Sequence, residues 1–196
     1  MSMSMSMSDL TEIRWHGRAG QGIVTAGELL AEAAMEEGKY FQAFPDYGPE
    51  RMGAPIRSFT RISTKPINIH CQITSPDVVV IVDPTVVGVV NVTEGLKANG
   101  TVVINTAKTP AALRAELGFA TGRVFTVDAT RISLDTLGRA MPNTPMLGAL
   151  IKATGLVSQE GIIGFTRTRL AAKFRDQVVD ANIKSMERAY NEVVEG

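Results

Sequence analysis

Trp15-His16-Gly17-Arg18-Ala19-Gly20-Gln21-Gly22 joins a short apolar strand, Ile13 to His16, to a helical pattern that begins near Ile23. Glycines at 17, 20 and 22 permit positive φ and close backbone approach. The free N–H groups and dipole at the start of the following helix favour an anion. Arg18 adds a planar cation able to hold a phosphate by two hydrogen bonds. Strand, glycines, arginine and helix in that order read as a phosphate cradle. The competing reading is a tight turn whose glycines only let strand and helix pack. The order Gly-x-x-Gly-x-Gly is not the dinucleotide fingerprint, and no Gly-Lys-Ser/Thr follows as in a P-loop.

Working outward, Ile23 to Glu37 reads as a helix with Val24, Leu30, Ala31, Ala34 and Met35 facing the core, ended by Gly38. Lys39 to Phe44 is a second strand, halted at Pro45. Asp46 to Pro55 is turn-rich. Ile56 to Ile62 and Ile67 to Ile73 form an expected antiparallel hairpin. Asp77 to Val82 is a Val/Ile run of the kind buried on both faces.

Val86 to Ala98 is expected to be helical, Thr101 to Asn105 a strand, Pro110 to Leu117 a helix and Arg123 to Val127 a strand. Helices follow at Leu134 to Ala140, Met146 to Thr154, Gln159 to Phe174 and Asp176 to Val194. In the last, Val179, Ile183, Met186, Tyr190 and Val193 share one face. This order predicts a layered α/β/α domain with a mixed, mostly parallel sheet and C-terminal helices. Residues 1–10 are expected to be a disordered tip and 11–196 a single domain. Ligands of such sheets bind beyond the carboxyl ends of the strands, here near Gly17, Asp46 and Asn105.

Lys+Arg and Asp+Glu both number 20 in the 196 residues, so no global charge points to nucleic acid or to an anionic membrane. The Met1 to Ser8 repeat lacks the regions of a secretory signal, and no run is long enough to span a bilayer. A cytoplasmic location is expected. Cys71 is the single cysteine, so neither an internal disulfide nor the four ligands of an iron–sulfur cluster can come from this chain. Cys71 is expected to be half-buried on a strand, where His70 points to the opposite face and forms no dyad with it. No metal site and no general acid or base are assigned.

Four segments carry committed chemistry: residues 16–22, residues 44–55 (Phe-Pro-Asp-Tyr-Gly-Pro-Glu-Arg-Met-Gly-Ala-Pro), Val103-Ile104-Asn105-Thr106, and Pro142-Asn143-Thr144-Pro145-Met146-Leu147-Gly148-Ala149. Together, from about Glu12 to about Val157, they resemble the gamma subunit of the 2-oxoacid:ferredoxin oxidoreductases, most of all that of the pyruvate enzyme. The resemblance implies a chain that works with separate alpha, beta and delta subunits and passes electrons to ferredoxin. It implies that pyruvate, coenzyme A and oxidised ferredoxin give acetyl-CoA, carbon dioxide and reduced ferredoxin. Thiamine diphosphate, Mg²⁺ and iron–sulfur clusters would sit on the partners, and this chain would help to bind coenzyme A.

Under that reading Gly17, Arg18, Ala19, Gly20 and Gln21 meet a phosphate of coenzyme A. Arg51 pairs with another, and Asn105 and Asn143 meet its amides or adenine edge. The plainer readings stay open: Arg51 pairs with Glu50, Asn105 caps a turn, and Asn143 caps the helix near Pro145. Asp46 stands roughly where a dinucleotide fold carries its ribose carboxylate, although the glycine order argues against that use. Arg57 and Arg61 share the strand face of Phe59 and suggest a subunit contact. A gamma subunit of a 2-oxoglutarate or branched-chain enzyme, a stand-alone nucleotide or coenzyme A module, and a purely structural subunit are the alternatives.

Overall fold

The computed structural model describes residues 9–46 and 53–196. Its sheet is built from β1 (Leu10–Arg18), β2 (Tyr40–Asp46), β3 (Pro55–Ser63), β4 (Val78–Ile81), β5 (Thr101–Asn105), β6 (Arg123–Val127) and β7 (Val194–Glu195). Spatial order is β2-β3-β1-β4-β5-β6-β7. Antiparallel pairings join β2 to β3, β3 to β1 and β6 to β7, while β1, β4, β5 and β6 run parallel. The mixed α/β architecture expected from the sequence is the one observed.

Helices α1 (Ile23–Glu36), α3 (Ala129–Leu137), α4 (Asn143–Thr154), α5 (Gln159–Ala171) and α6 (Asp176–Glu192) contribute to a core against one face of the sheet. Strand alternation sorts the side chains. Ile13, Trp15, Val78 and Val80 enter that core, whereas Val79, Ile81, Val102 and Ile104 enter a smaller one closed by Val86, Val92 and α2 (Pro110–Leu117). Trp15 donates from Nε1 to Thr60 Oγ1 at 3.0 Å, which satisfies the one polar atom of a fully buried indole.

Several expectations are corrected. Residues 67–73 form no strand, and β3 pairs instead with β1 and β2. Between β2 and β1, β3 gains two partners and burial, which a local hairpin would not give. Cys71 is consequently exposed and off any strand. Residues 86–98 are a run of turns after one 3-10 turn at Pro84–Val86. There Gly95 has φ +67°, and a Cβ on it would collide with the Thr74 carbonyl.

Strand β2 runs through Pro45 to Asp46, which is allowed because β2 is a sheet edge and needs no outward N–H there. Helix α3 starts earlier than read, at Ala129, where Asp128 caps it, and stops at Gly138. Met35, expected in the core, is 48% exposed. In α6, Val179, Ile183 and Met186 are buried as expected, while Tyr190 and Val193 are partly buried and pack against the main core. Arg61 is also interior. It is 1% exposed, pairs with Glu12 at 2.9 Å, lies over Phe44, and donates to Gln42 and the Cys71 carbonyl.

Candidate functional site

From β1 the chain leaves through α1 to one edge of the sheet, and from β4 it proceeds towards the other. The crevice beyond the carboxyl ends of β1 and β4 is therefore a topological switch point, the usual ligand position in such sheets. The glycine segment occupies it. Gly20 and Gly22 have φ of +95° and +72°. Gly17 differs: it is the penultimate residue of β1, and its value lies in space, since a Cβ there would stand 2.7 Å from Ile23 Cγ2.

The turn is held by a compact set of bonds. Arg18 N–H donates to Gln21 Oε1 at 2.7 Å, and Gln21 Nε2 donates to Asp83 Oδ2 at 2.6 Å. Arg18 Nε donates to Thr85 Oγ1 at 2.9 Å and Nη1 to the Gly53 carbonyl at 3.0 Å, with Asp83 3.6 Å away. Ala19 N–H donates to the Ala54 carbonyl at 2.9 Å and Gly53 N–H donates to the Ala19 carbonyl at 3.3 Å, which ties the turn to the start of β3. Burial raises the Asp83 carboxyl, but donors on Thr85 and Gln21 and the Arg18 charge outweigh it and hold Asp83 below its ordinary range.

These bonds redistribute the donors expected from the sequence. The amides of Arg18 and Gln21 are consumed inside the turn, and that of Ala19 by the Ala54 carbonyl. What faces the crevice is the first turn of α1, whose N-cap is Gly22 with no side-chain cap. Asn143 closes over it. It is the first residue of α4, not a cap, and is 8% exposed. Its Nδ2 lies 2.8 Å from where a Cβ on Gly22 would be. Its Oδ1 is buried and finds no hydrogen-bond partner among the described residues.

The remaining sequence candidates separate. Asn105 is buried, and its amide donates to the Val82 carbonyl and Thr130 Oγ1 and accepts from Thr130 N–H, bracing β4, β5 and α3 beneath the crevice. Arg51 lies outside the described residues. Asp46 is held by Arg57 at 2.7 Å and by Gln72. Asp83 and Thr85 belong to the site without having been among the sequence candidates, and Asp-Pro-Thr directly after a buried parallel strand is their signal in the sequence.

His16 lies near the end of β1. It is 3% exposed, and its Nε2 accepts from Arg14 Nε at 3.0 Å. Burial, reinforced by the charges of Arg14 and Arg57, lowers its pKa to about 3. The neutral ring is thus the folded form, and the stability it contributes is complete above the ordinary pKa near 6.5 and lost as pH falls towards 3. Urea unfolding at stepped pH should show stability declining across that window, and His16→Gln should flatten the decline.

The pyruvate ferredoxin/flavodoxin oxidoreductase family model matches residues 12–192. The chain belongs to that family. It is 47% identical over 182 residues to "Pyruvate synthase subunit PorC" of Thermotoga maritima, covering 93% of this chain and 94% of that one. It is also 47% identical over 185 residues to the "Pyruvate/ketoisovalerate oxidoreductases common subunit gamma" of Thermococcus kodakarensis, covering 94% and 98%. The crystal structure of pyruvate oxidoreductase subunit PORC from Thermotoga maritima superposes with a TM-score of 0.84 at 43% identity, covering 96% of this chain and 99% of that one. Within the family the chain is therefore of the gamma type, a subunit of an oxidoreductase complex.

Proposed function

We propose that this chain is the gamma subunit of a pyruvate:ferredoxin oxidoreductase, and that its switch-point crevice helps to bind and position coenzyme A. The observation that carries the coenzyme A reading is the orphan Asn143 Oδ1 beside the uncapped start of α1. A phosphate oxygen suits the helix N–H groups, and a ligand N–H or O–H suits the unpaired acceptor. Arg18 spends few of its five donors on Thr85 and Gly53 and keeps a cation at the mouth of the turn. The resemblance of residues 16–22 and 142–149 to the family's gamma chain supports the same assignment.

The chain acts by positioning, holding the thiol end of coenzyme A near an acyl group carried by its partners. Thiamine diphosphate supplies the acyl carbanion chemistry on another subunit. Iron–sulfur clusters lie on partners as well, because one exposed cysteine cannot supply a cluster's four thiolates. Alpha, beta and delta chains and ferredoxin complete the assembly, in the cytoplasm. The described helices include none long and apolar enough to cross a membrane. The relative that serves pyruvate and ketoisovalerate enzymes in common favours a second reading, in which this chain leaves the choice of oxoacid to its partners.

Two experiments test the proposal. An anaerobic pull-down of the tagged chain should recover thiamine- and cluster-bearing partners and coenzyme A-dependent pyruvate oxidation with a viologen acceptor. A chain emerging alone and inactive would sink the subunit reading. In the assembled enzyme, Asn143→Ala should raise the KM for coenzyme A about fivefold to tenfold, the loss of one buried hydrogen bond. An unchanged KM would leave this chain a structural subunit.

A further inference from the structure

The corner between α5 and α6 breaks two local rules at adjacent residues. Arg175 is the N-cap of α6 and makes no side-chain cap. That position favours Ser, Thr, Asp or Asn, and a cation there opposes the helix dipole. Phe174, the largest apolar side chain of the corner, is 47% exposed. Every residue from Ala171 to Gln177 is exposed with it. Neither choice helps the fold locally, and such conflicts mark positions kept for another purpose.

The surrounding charge points one way. Arg167-Thr168-Arg169-Leu170-Ala171-Ala172-Lys173-Phe174-Arg175 holds four cations and no acid, in a chain whose formal net charge is zero. Arg167 is matched by Asp180 and Arg169 by Glu32. Among the described residues, Lys173 and Arg175 form no ion pair. Lys173, just past the end of α5, complements the dipole of that helix. Arg175 has no such use, and Asp176 already supplies the acid that the first turn of α6 favours.

The corner also stands forward. Helices α4 and α6 run in the same direction, with Thr144 beside Asn182 and Gly148 beside Met186. Asp176 to Asn182, about 9 Å of helix, therefore runs on past the head of α4. An exposed aromatic among unmatched cations has the composition of a protein-binding anchor.

Charge and chemistry select the occupant. A second copy would set like charges against each other in an isologous contact. An electron carrier would find no cluster on a chain with one cysteine. We propose that the α5–α6 corner docks on another subunit of the oxidoreductase complex, at an acidic surface with an apolar recess that takes Phe174. The proposal rests on this chain's being a subunit of such a complex, and not on the coenzyme A reading.

The test measures anaerobic binding of the full chain to the assembly of its remaining subunits, at ionic strengths of about 0.05 M and about 0.5 M. Phe174→Ala should weaken binding about tenfold or more at both. Lys173→Glu combined with Arg175→Glu should weaken it about tenfold or more at the lower ionic strength. The same pair should remove most of the salt dependence shown by the unaltered chain. Thermal unfolding of the isolated subunit should shift by no more than about 2 °C in either variant, since all three side chains are exposed.

Unchanged binding by both variants overturns the proposal. So does intact assembly with a raised KM for ferredoxin under charge reversal, which would give the corner to the electron carrier. Dimerisation of the isolated chain that Phe174→Ala abolishes would give it to a second copy, and overturns the proposal as well. If the unaltered chain itself binds none of the other subunits, the subunit reading fails and the proposal falls with it.

Discussion

Gly22→Ala should weaken coenzyme A binding to the holoenzyme by about tenfold or more and lower the melting temperature of the subunit. Two costs combine. At φ +72° an L side chain stands in the left-handed region, which costs about 1–2 kcal/mol. The added Cβ would also sit 2.8 Å from Asn143 Nδ2, so the amide that lids the start of α1 must swing away. The displaced amide carries Oδ1 with it, and the donor surface of α1 and its acceptor neighbour no longer converge. Titration calorimetry with coenzyme A, paired with thermal unfolding, separates the possibilities. A lowered melting temperature with unchanged affinity would make Gly22 a turn glycine and nothing more.

Gly148→Ala should cost about 3 kcal/mol of subunit stability, the upper end of what overpacking a close-fitted interior costs. Gly148 lies in the middle of α4, where a Cβ would collide with the Met186 carbonyl oxygen and stand 2.9 Å from its carbonyl carbon. These are backbone atoms of α6 and cannot rotate aside, so the two helices must part. Since Asn143 heads α4, the displacement should also reach the crevice and weaken coenzyme A binding. Gly164→Ala is the matching control. It lies in α5 with open space around its Cβ position, and should be neutral or stabilising by about 0.5–1 kcal/mol. Chemical unfolding of both variants checks the contrast, and equal effects would refute the packing argument.

The readable parts of this protein were those where one local signal agreed with its surroundings. The valine run of β4 and the strands β5 and β6 announce themselves because strands buried on both faces need apolar residues throughout. Helix α2 was readable to the residue, since Thr109 caps it ahead of Pro110 and Gly118 ends it at φ +61°. The misread stretches lacked such agreement. Residues 67–73 alternate like a strand but find no partner, because β3 is already flanked by β1 and β2. Residues 86–98 are rich in valine and interrupted by Gly88 and Gly95, all poor helix formers, and their carbonyls at Val92 and Glu94 are claimed by Arg14 on the neighbouring strand.

The site divided in the same way. The glycine turn was legible as an anion-suited loop, but which of its amides remain available was not, because that depends on Asp83, Ala54 and Gly53, all distant in the chain. Asn105 and Asn143 looked alike in the sequence. Their surroundings separate them: one amide is satisfied by Val82 and Thr130, and the other has an orphan oxygen above α1.

By itself the sequence determined the α/β class, the position of the glycine turn between β1 and α1, and the lack of cysteines for a cluster. These follow from periodicity, glycine chemistry and composition, which are properties of short segments or of the whole count. Tertiary structure alone decided that β3 inserts beside β1, that Asp83 locks the turn, and that His16, buried against Arg14, stays neutral. Each of those depends on residues brought together across the sheet, where burial and the one available partner, rather than local preference, select the conformation and the protonation state.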